Sequence, residues 1–221
     1  MNRKEIAAKI DHTLLEPQAT EEQIRELCRE AREFGVAAVC VNGSRVGQAA
    51  GELVGSGIAV CTVVGFPLGA AASTGKAAEA VDAIARGAWE IDMVANIGLL
   101  KDGDDDAVFA DISAVRHAIG DDGVLKVIIE SAALTDDEIA RACELAVEAG
   151  AEFVKTSTGF HPAGGASVEA VRLMRRTVGD RVQVKASGGI RTLADAEALL
   201  EAGADRLGLS GTVAVLGELE G

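Results

Sequence analysis

Apolar and polar residues along this chain follow two periods that take turns. Short apolar runs recur near 10–14, 36–41, 58–64, 90–95, 124–130, 152–157, 182–187 and 205–209. Runs this short and this continuously apolar predict strands covered on both faces. Between them the apolar residues return at helical spacing. Ile24, Leu27, Cys28, Ala31 and Phe34 share one face behind Thr20-Glu-Glu-Gln23, and Ile139, Cys143, Ala146 and Val147 share one behind Thr135-Asp-Asp-Glu138. Each preceding tetrapeptide is a capping box, which satisfies the free N–H groups of a first helical turn. The same spacing predicts helices over 77–84, 107–119, 167–178 and 192–201.

Helix and strand are joined by a recurring phrase. Gly87-Ala-Trp-Glu-Ile-Asp-Met-Val94, Gly150-Ala-Glu-Phe-Val-Lys-Thr156 and Gly203-Ala-Asp-Arg-Leu-Gly-Leu209 repeat it, with looser copies starting at Gly35 and Gly57. The glycine takes the left-handed conformation that closes a helix, and the chain turns at once into a buried strand. Strands alternating with helices imply a parallel sheet with right-handed crossovers. Eight such units of roughly 28 residues fit a compact (β/α)8 barrel near the lower end of that fold's size range. An open doubly wound sheet is the alternative, but no G-x-G-x-x-G follows the first strand. The expectation is one α/β domain over 1–221, a single-domain (β/α)8 TIM barrel without linker or low-complexity segment. The acidic stretch Asp102–Asp106 reads as a solvated loop and helix start.

Composition narrows the function. A 48% apolar content excludes a disordered chain, and the longest clean apolar run, Val36 to Val41, is far too short to span a bilayer. The segment MNRKEIAAKIDH has no apolar core or small-residue cleavage site, so it does not read as a signal peptide, and a cytoplasmic protein is expected. A net charge of −14 argues against nucleic-acid partners, because an acidic surface repels phosphates. Only seven of the 21 basic residues are lysines. A salty cytoplasm and ordinary solubility account equally well for that acidic, lysine-poor balance. Cys28, Cys40, Cys61 and Cys143 lack C-x-x-C spacing and read as reduced core thiols, although Cys40 and Cys61 fall in neighbouring strands and could approach a site. His12, His117 and His161 are scattered, so no metal cluster is expected.

In a barrel of this kind, chemistry sits at the carboxyl ends of the strands. The polar residues there are Asp11, His12, Asn42, Glu90, Asp92, Asn96, Lys126, Glu130, Lys155, Ser157, Lys185, Ser187 and Ser210. Three of the seven lysines (Lys126, Lys155 and Lys185) lie inside apolar strands. Strand parity groups Lys155 with Phe153 and Ser157, and a lumenal position is favoured because lysines pressed against helices would be hard to solvate. Burial lowers a lysine pKa unless a partner compensates. A neutral amine attacks carbonyls, and a second cation nearby favours that neutral form. Structural pairing with Asp92, Glu130 or Asp11 would explain one such lysine. Three converging on one barrel mouth favour imine chemistry. Ser187-Gly-Gly-Ile190 and Gly208-Leu-Ser-Gly211 each follow a late strand and precede a helix, which suits an anion held by backbone N–H groups.

Six segments carry a resemblance: Asp11-His-Thr-Leu-Leu15, Glu90-Ile-Asp-Met-Val94, Leu125-Lys-Val-Ile-Ile-Glu130, Phe153-Val-Lys-Thr-Ser-Thr-Gly-Phe160, Val184-Lys-Ala-Ser-Gly-Gly-Ile190 and Arg206-Leu-Gly-Leu-Ser210. In this order, over nearly the whole chain, they resemble the 2-deoxyribose-5-phosphate aldolases. The resemblance implies a class I aldolase with no metal and no cofactor, acting on a phosphosugar and an aldehyde, with no membrane partner, as a homo-oligomer (dimer or tetramer). By the same resemblance Lys155 matches the Schiff-base lysine, Lys185 the second lysine whose charge keeps it neutral, and Asp92 the acid/base carboxylate. Lys126 and Asp11 match supporting polar residues, and Thr158, Gly159, Gly188, Gly189 and Ser210 match the phosphate and substrate contacts. Two departures stand out. Some members end in a tail whose terminal Tyr assists proton transfer, whereas this sequence has no Tyr and reads Glu218-Leu-Glu-Gly221 at its end. Family members also often place two adjacent serines after the last strand, where this chain has Ser210-Gly211.

Overall fold

The computed structural model describes residues 1–121 and 123–220. The chain runs α1 (Arg3–Ala7), β1 (Ile10–Leu14), α2 (Glu21–Phe34), β2 (Ala38–Val41), α3 (Val46–Glu52), β3 (Ala59–Val64) and α4 (Ser73–Ala85). It continues with β4 (Glu90–Val94), α5 (Ile97–Asp102), α6 (Asp105–Ile119), β5 (Val124–Ile128), α7 (Asp136–Glu148) and β6 (Phe153–Lys155). Then follow α8 (Val168–Val178), β7 (Gln183–Ser187), α9 (Leu193–Glu201), β8 (Arg206–Leu209) and α10 (Thr212–Gly217). Each strand lies parallel to the next, and β8 returns to β1 through the pairs Ile10–Leu207 and Asp11–Gly208. The result is the closed (β/α)8 barrel that the alternation predicts, with no exposed sheet edge.

The local signals account for the elements. Thr20 and Thr135 cap α2 and α7 through full capping boxes, and Asn2 and Thr192 do the same for α1 and α9. Asp104, from the acidic stretch, caps α6 with its carboxylate. Gly35 closes α2 with φ 68°, and Gly87, Gly150 and Gly203 also hold positive φ at the turns into β4, β6 and β8. Two strands are shorter than their apolar runs. β5 stops at Ile128, and Glu130 takes a left-handed φ of 56°. β6 stops at Lys155 because the Thr156 hydroxyl takes over, donating to the Ser187 carbonyl and accepting from the Ser187 N–H.

Strand parity sorts the core. Ile91 and Met93, Leu125 and Val127, Val154, and Val184 and Ala186 point outward and pack beneath the helices. Their alternates Glu90 and Asp92, Lys126, Lys155 and Lys185 point into the lumen, buried together with Phe153. Cys28 on α2 and Cys143 on α7 lie in the outer core, where burial pushes the thiols up to about 11 and about 12. His12 turns outward to Glu30 of α2 (Nε2–Oε2 2.8 Å) and stays away from the lumen. Asn42 donates to the Leu15 carbonyl and Asn96 caps α5, so both serve the scaffold. Among the described residues, no helix is long and apolar enough to cross a membrane.

One buried ion pair lies outside the lumen. Lys76 on α4 and Asp111 on α6 meet at 2.6 Å with 0% and 1% exposure, and the ammonium also donates to the Val94 carbonyl (2.8 Å) at the end of β4. Removing one partner of such a pair strands the other charge in the core. Lys76→Met is therefore expected to lower unfolding free energy by about 3–5 kcal/mol. Lys76→Met/Asp111→Leu should regain most of it. Urea denaturation of the three proteins checks this, and equal loss in the single and double variants would refute it.

Candidate active site

β4, β5, β6 and β7 place Asp92, Lys126, Lys155 and Lys185 side by side, since Asp92 is in register with Lys126 and Lys155 with Lys185. The Asp92 carboxylate is the hub. Its Oδ2 accepts from Lys155 Nζ and Lys185 Nζ, both at 2.7 Å, and its Oδ1 accepts from Lys126 Nζ at 2.7 Å. Asp11 enters from β1, paired with Lys185 through one oxygen and with Arg206 Nη1 (2.7 Å) through the other. Glu90 completes the cluster at 2.6 Å from Lys126. Burial alone would raise the Asp92 carboxyl, but Lys126, Lys155 and Lys185 hold it well below the usual carboxylate range. Asp11 is likewise depressed, against burial, by Lys185, Lys126 and Arg206. Burial would lower the Lys126 and Lys185 ammoniums, yet both are raised. Asp92 leads for Lys126, and Asp11 with Asp92 for Lys185. Compensation thus overrides desolvation at both lysines.

Above this cluster lies a cleft of about 290 Å³. Lys155 forms part of it, and so do Thr158, Gly159, Gly188, Gly189 and Ser210. All five residues expected at an anion site therefore share one cavity with the candidate nucleophile. Gly188 and Gly189 hold φ of 85° and 81°. A Cβ on Gly165 would collide with the Gly188 carbonyl oxygen, and one on Gly188 would sit 3.1 Å from the Gly159 and Gly165 Cα atoms. Backbone rests directly on backbone, which leaves the turn open toward the cleft. Among the described lining residues Lys155 is the only cation and the Thr158 hydroxyl hydrogen is committed to Glu130, so an anion here would rely on backbone N–H groups and the Ser210 hydroxyl.

Four further residues take part in roles that sequence reasoning did not give them. Arg206 reaches in from β8 to Asp11. Gly208 makes room for Lys185, since a Cβ there would lie 3.3 Å from its Cε and 2.9 Å from the Ser187 Cβ. Glu130, expected as a polar strand residue that could pair with a strand lysine, instead accepts from Thr158 Oγ1 (2.6 Å) and N–H (3.2 Å) and so holds the loop that lines the cleft. Cys61 donates to Asp92 Oδ1 at 3.1 Å, and burial pushes its thiol well up. The Sγ atoms of Cys40 and Cys61 lie near the Asp92 carboxylate in a grouping that could ligate a metal, as do Asp11, Cys61 and Glu90. Histidine spacing gave no sign of either. The ammoniums already bonded to Asp92 and Asp11 oppose a cation at both.

A closed parallel barrel with amines around one carboxylate at the strand ends, below an anion-suited cleft, has the layout of an aldolase that works through a lysine amine. The chain belongs to the DeoC/LacD family of aldolases, whose model matches residues 6–217. The deoxyribose-phosphate aldolase of Kocuria rhizophila is 60% identical over 220 residues, which cover 100% of this chain and 99% of that one. That of Nocardia farcinica is 58% identical over 214 residues, covering 97% and 94%. Among solved structures, the deoxyribose phosphate aldolase of Aeropyrum pernix, described as a unique tetramer, superposes with a TM-score of 0.92. It shares 35% identity over 99% of this chain and 92% of that one.

The lumen should shape stability against pH. Asp11 and Asp92 are depressed, so their contribution is present above the unfolded value of about 3.9 and is lost as pH falls further. Lys126 and Lys185 are raised, so theirs is present below the unfolded value of about 10.4 and is lost as pH climbs toward the folded values. The urea midpoint should form a plateau between about pH 5 and pH 9 and fall on both sides. Asp11→Asn should flatten the acid limb. An acid limb as steep as that of the parent would contradict a stabilising role for the Asp11 charge.

Proposed function

We propose that this chain reversibly cleaves 2-deoxy-D-ribose 5-phosphate to D-glyceraldehyde 3-phosphate and acetaldehyde, with Lys155 as nucleophile. The single observation that carries the reading is the placement of the Lys155 amine. It lies in the cleft with the glycine turns while its nitrogen touches Asp92 (2.7 Å) below. The phosphate would rest against Gly188, Gly189, Thr158, Gly159 and Ser210, which orients C1 of the open-chain sugar toward Lys155. Neutral Lys155 adds to C1, and loss of water from the carbinolamine gives an iminium. The C3 hydroxyl gives up its proton to a base, the C2–C3 bond breaks, and its electron pair flows into the iminium as an enamine. Glyceraldehyde 3-phosphate leaves, the enamine is protonated at C2, and water releases acetaldehyde and the amine.

Asp92 is suited to carry these protons with a water, since it bonds the nucleophile and both neighbouring lysines. Lys185 shares Oδ2 of Asp92 with Lys155, so it draws off the carboxylate charge that would otherwise hold Lys155 as a cation. Lys126, Asp11, Glu90 and Arg206 support that arrangement. Among the described residues, Lys126, Lys155, Lys185 and Arg206 face Asp11, Glu90 and Asp92 in the lumen, and the carboxylate paired with Lys155 is Asp92.

The proposal extends to a single domain working in the cytoplasm and assembling as a homo-oligomer, in keeping with the tetramer of the A. pernix relative. A phosphosugar-binding protein without catalysis is the alternative, and the contact of Lys155 and Lys185 with one Asp92 oxygen disfavours it.

Borohydride reduction with 2-deoxyribose 5-phosphate should leave a reduced adduct on Lys155, read by peptide mass spectrometry. Lys155→Leu should keep the fold by circular dichroism and cut turnover to below about a ten-thousandth of the parent. Substantial residual turnover would sink the assignment. Lys185→Leu should depress the rate most near neutral pH, moving the pH–rate profile toward alkaline values. An unmoved profile would mean that Lys185 does not set the charge state of Lys155.

A further inference from the structure

Two of the four thiols face each other across neighbouring strands. Cys40 on β2 and Cys61 on β3 are register partners, so their Cα atoms stand about 4.8 Å apart. A disulfide spans Cα separations of roughly 4.4–6.8 Å, so this pair can close without moving the backbone. The two Sγ atoms and an Asp92 carboxylate oxygen all lie within 4.8 Å of one another. Leu15, Ala38 and Val63 enclose the pair, with Phe66 packed against them and edge to face with Phe160. Cys28 and Cys143, by contrast, lie on two different helices in the outer core.

The two sulfurs are not equivalent. Cys61 donates to Asp92 Oδ1 at 3.1 Å, and burial pushes its thiol well up, so it keeps its hydrogen. Cys40 is shifted the other way. The neighbouring Cys61 thiol brings it below an ordinary thiol, against burial, with help from Lys185 and Lys155. One thiol that ionises readily beside one that stays protonated is the pairing in which the first attacks an oxidant and the second resolves the product.

Access comes from the cleft. Leu15 belongs to the cluster around the thiols and also lines the cleft that holds Lys155. The reaction proposed above brings water to Asp92, and Cys61 touches an oxygen of that same carboxylate. A small hydroperoxide follows the path that water takes.

We propose that Cys40 and Cys61 form an oxidation site for small hydroperoxides, closing to a disulfide in the lumen that slows the reaction at Asp92. The site goes beyond the function proposed above, and only its effect on turnover rests on that reading. The Cys40 thiolate attacks one peroxide oxygen, the O–O bond breaks, and hydroxide or alkoxide leaves with the electron pair. Cys61 then attacks the Cys40 sulfenic acid, the S–O bond breaks, and water departs with the Cys61 proton. Two thiols are oxidised and one peroxide is reduced. The disulfide has no hydrogen to give to Asp92 Oδ1, and the Cys61 sulfur is drawn away from Lys126 Nζ, which it meets at 3.3 Å in the reduced chain. Turnover should fall about tenfold, as expected when a charged group loses one hydrogen bond.

The full chain is treated with hydrogen peroxide, alkylated without reduction and digested for mass spectrometry, while cleavage of 2-deoxyribose 5-phosphate is followed in parallel. A linked Cys40–Cys61 peptide should appear as turnover falls, and dithiothreitol should remove the link and restore the rate. Cys40→Ala should hold its own untreated rate through the same exposure. Cys61→Ala supplies the comparison if that variant does not fold, because its Cys40 should pass on to sulfinic acid and stay inactivated after dithiothreitol. Loss of turnover without the linked peptide overturns the proposal. So does a linked peptide with turnover unchanged within about twofold, or a Cys40→Ala protein that loses its rate as fast as the parent. A chain inactive before treatment would remove the function proposed above, and the linked peptide would still decide the oxidation site by mass alone.

Discussion

Everything at the centre of this barrel depends on keeping one carboxylate ionised where water is scarce. Asp92 is fully buried, and a lone charge there would cost several kcal/mol. The Lys126 and Lys185 ammonium groups offset that cost, and the Lys155 amine bonds the same carboxylate. The lysines bring their own requirements. Lys126 calls in Glu90, Lys185 calls in Asp11, and Asp11 calls in Arg206. Gly208 lacks a side chain where the Lys185 stem passes. Strands from both ends and the middle of the chain are bound into this one network, so the charge balance and the closure of the barrel are the same problem.

The network also explains what could be read from the sequence. Lys126, Lys155 and Lys185 were legible because a lysine inside an apolar strand has no bland explanation when it recurs three times. The barrel was legible because its helices are amphipathic and capped and its strands are short, apolar and evenly spaced. Arg206 was not, since it opens a strand of four residues, where parity has little to fix it. Cys61 reads as core by composition, and only the register beside β4 turns it toward Asp92. Lys76 sits in a helix pattern where lysine is ordinary, and its burial follows from the packing of α4 on α6. Glu130 owes its part to a backbone conformation, φ 56°, that side-chain patterns do not announce. The short helices α3, α5 and α10 span two turns or fewer, too few for an apolar stripe to show.

Two solvents coexist in the mouth of the barrel. One side offers fixed charges that move protons without reorganising, and the other offers methyl groups and aromatic rings. A reaction that begins with a carbonyl, passes through an iminium and ends with an enamine needs both. Charge must be stabilised at the nitrogen while the neighbouring carbon is kept from water.

The contact of Gly159, Gly165 and Gly188 has a bearing on how such a protein diversifies. The loops after β6 and β7 meet there through bare backbone, so a side chain at Gly165 or Gly188 would press them apart. That end of the cleft is closed to gradual change, and a lineage that drifts toward new substrates must keep the anion and vary the rest. The opposite wall is made of ordinary side chains, each replaceable one at a time. Inheritance of a fixed handle and a variable body gives the fold a direction in which its chemistry can spread.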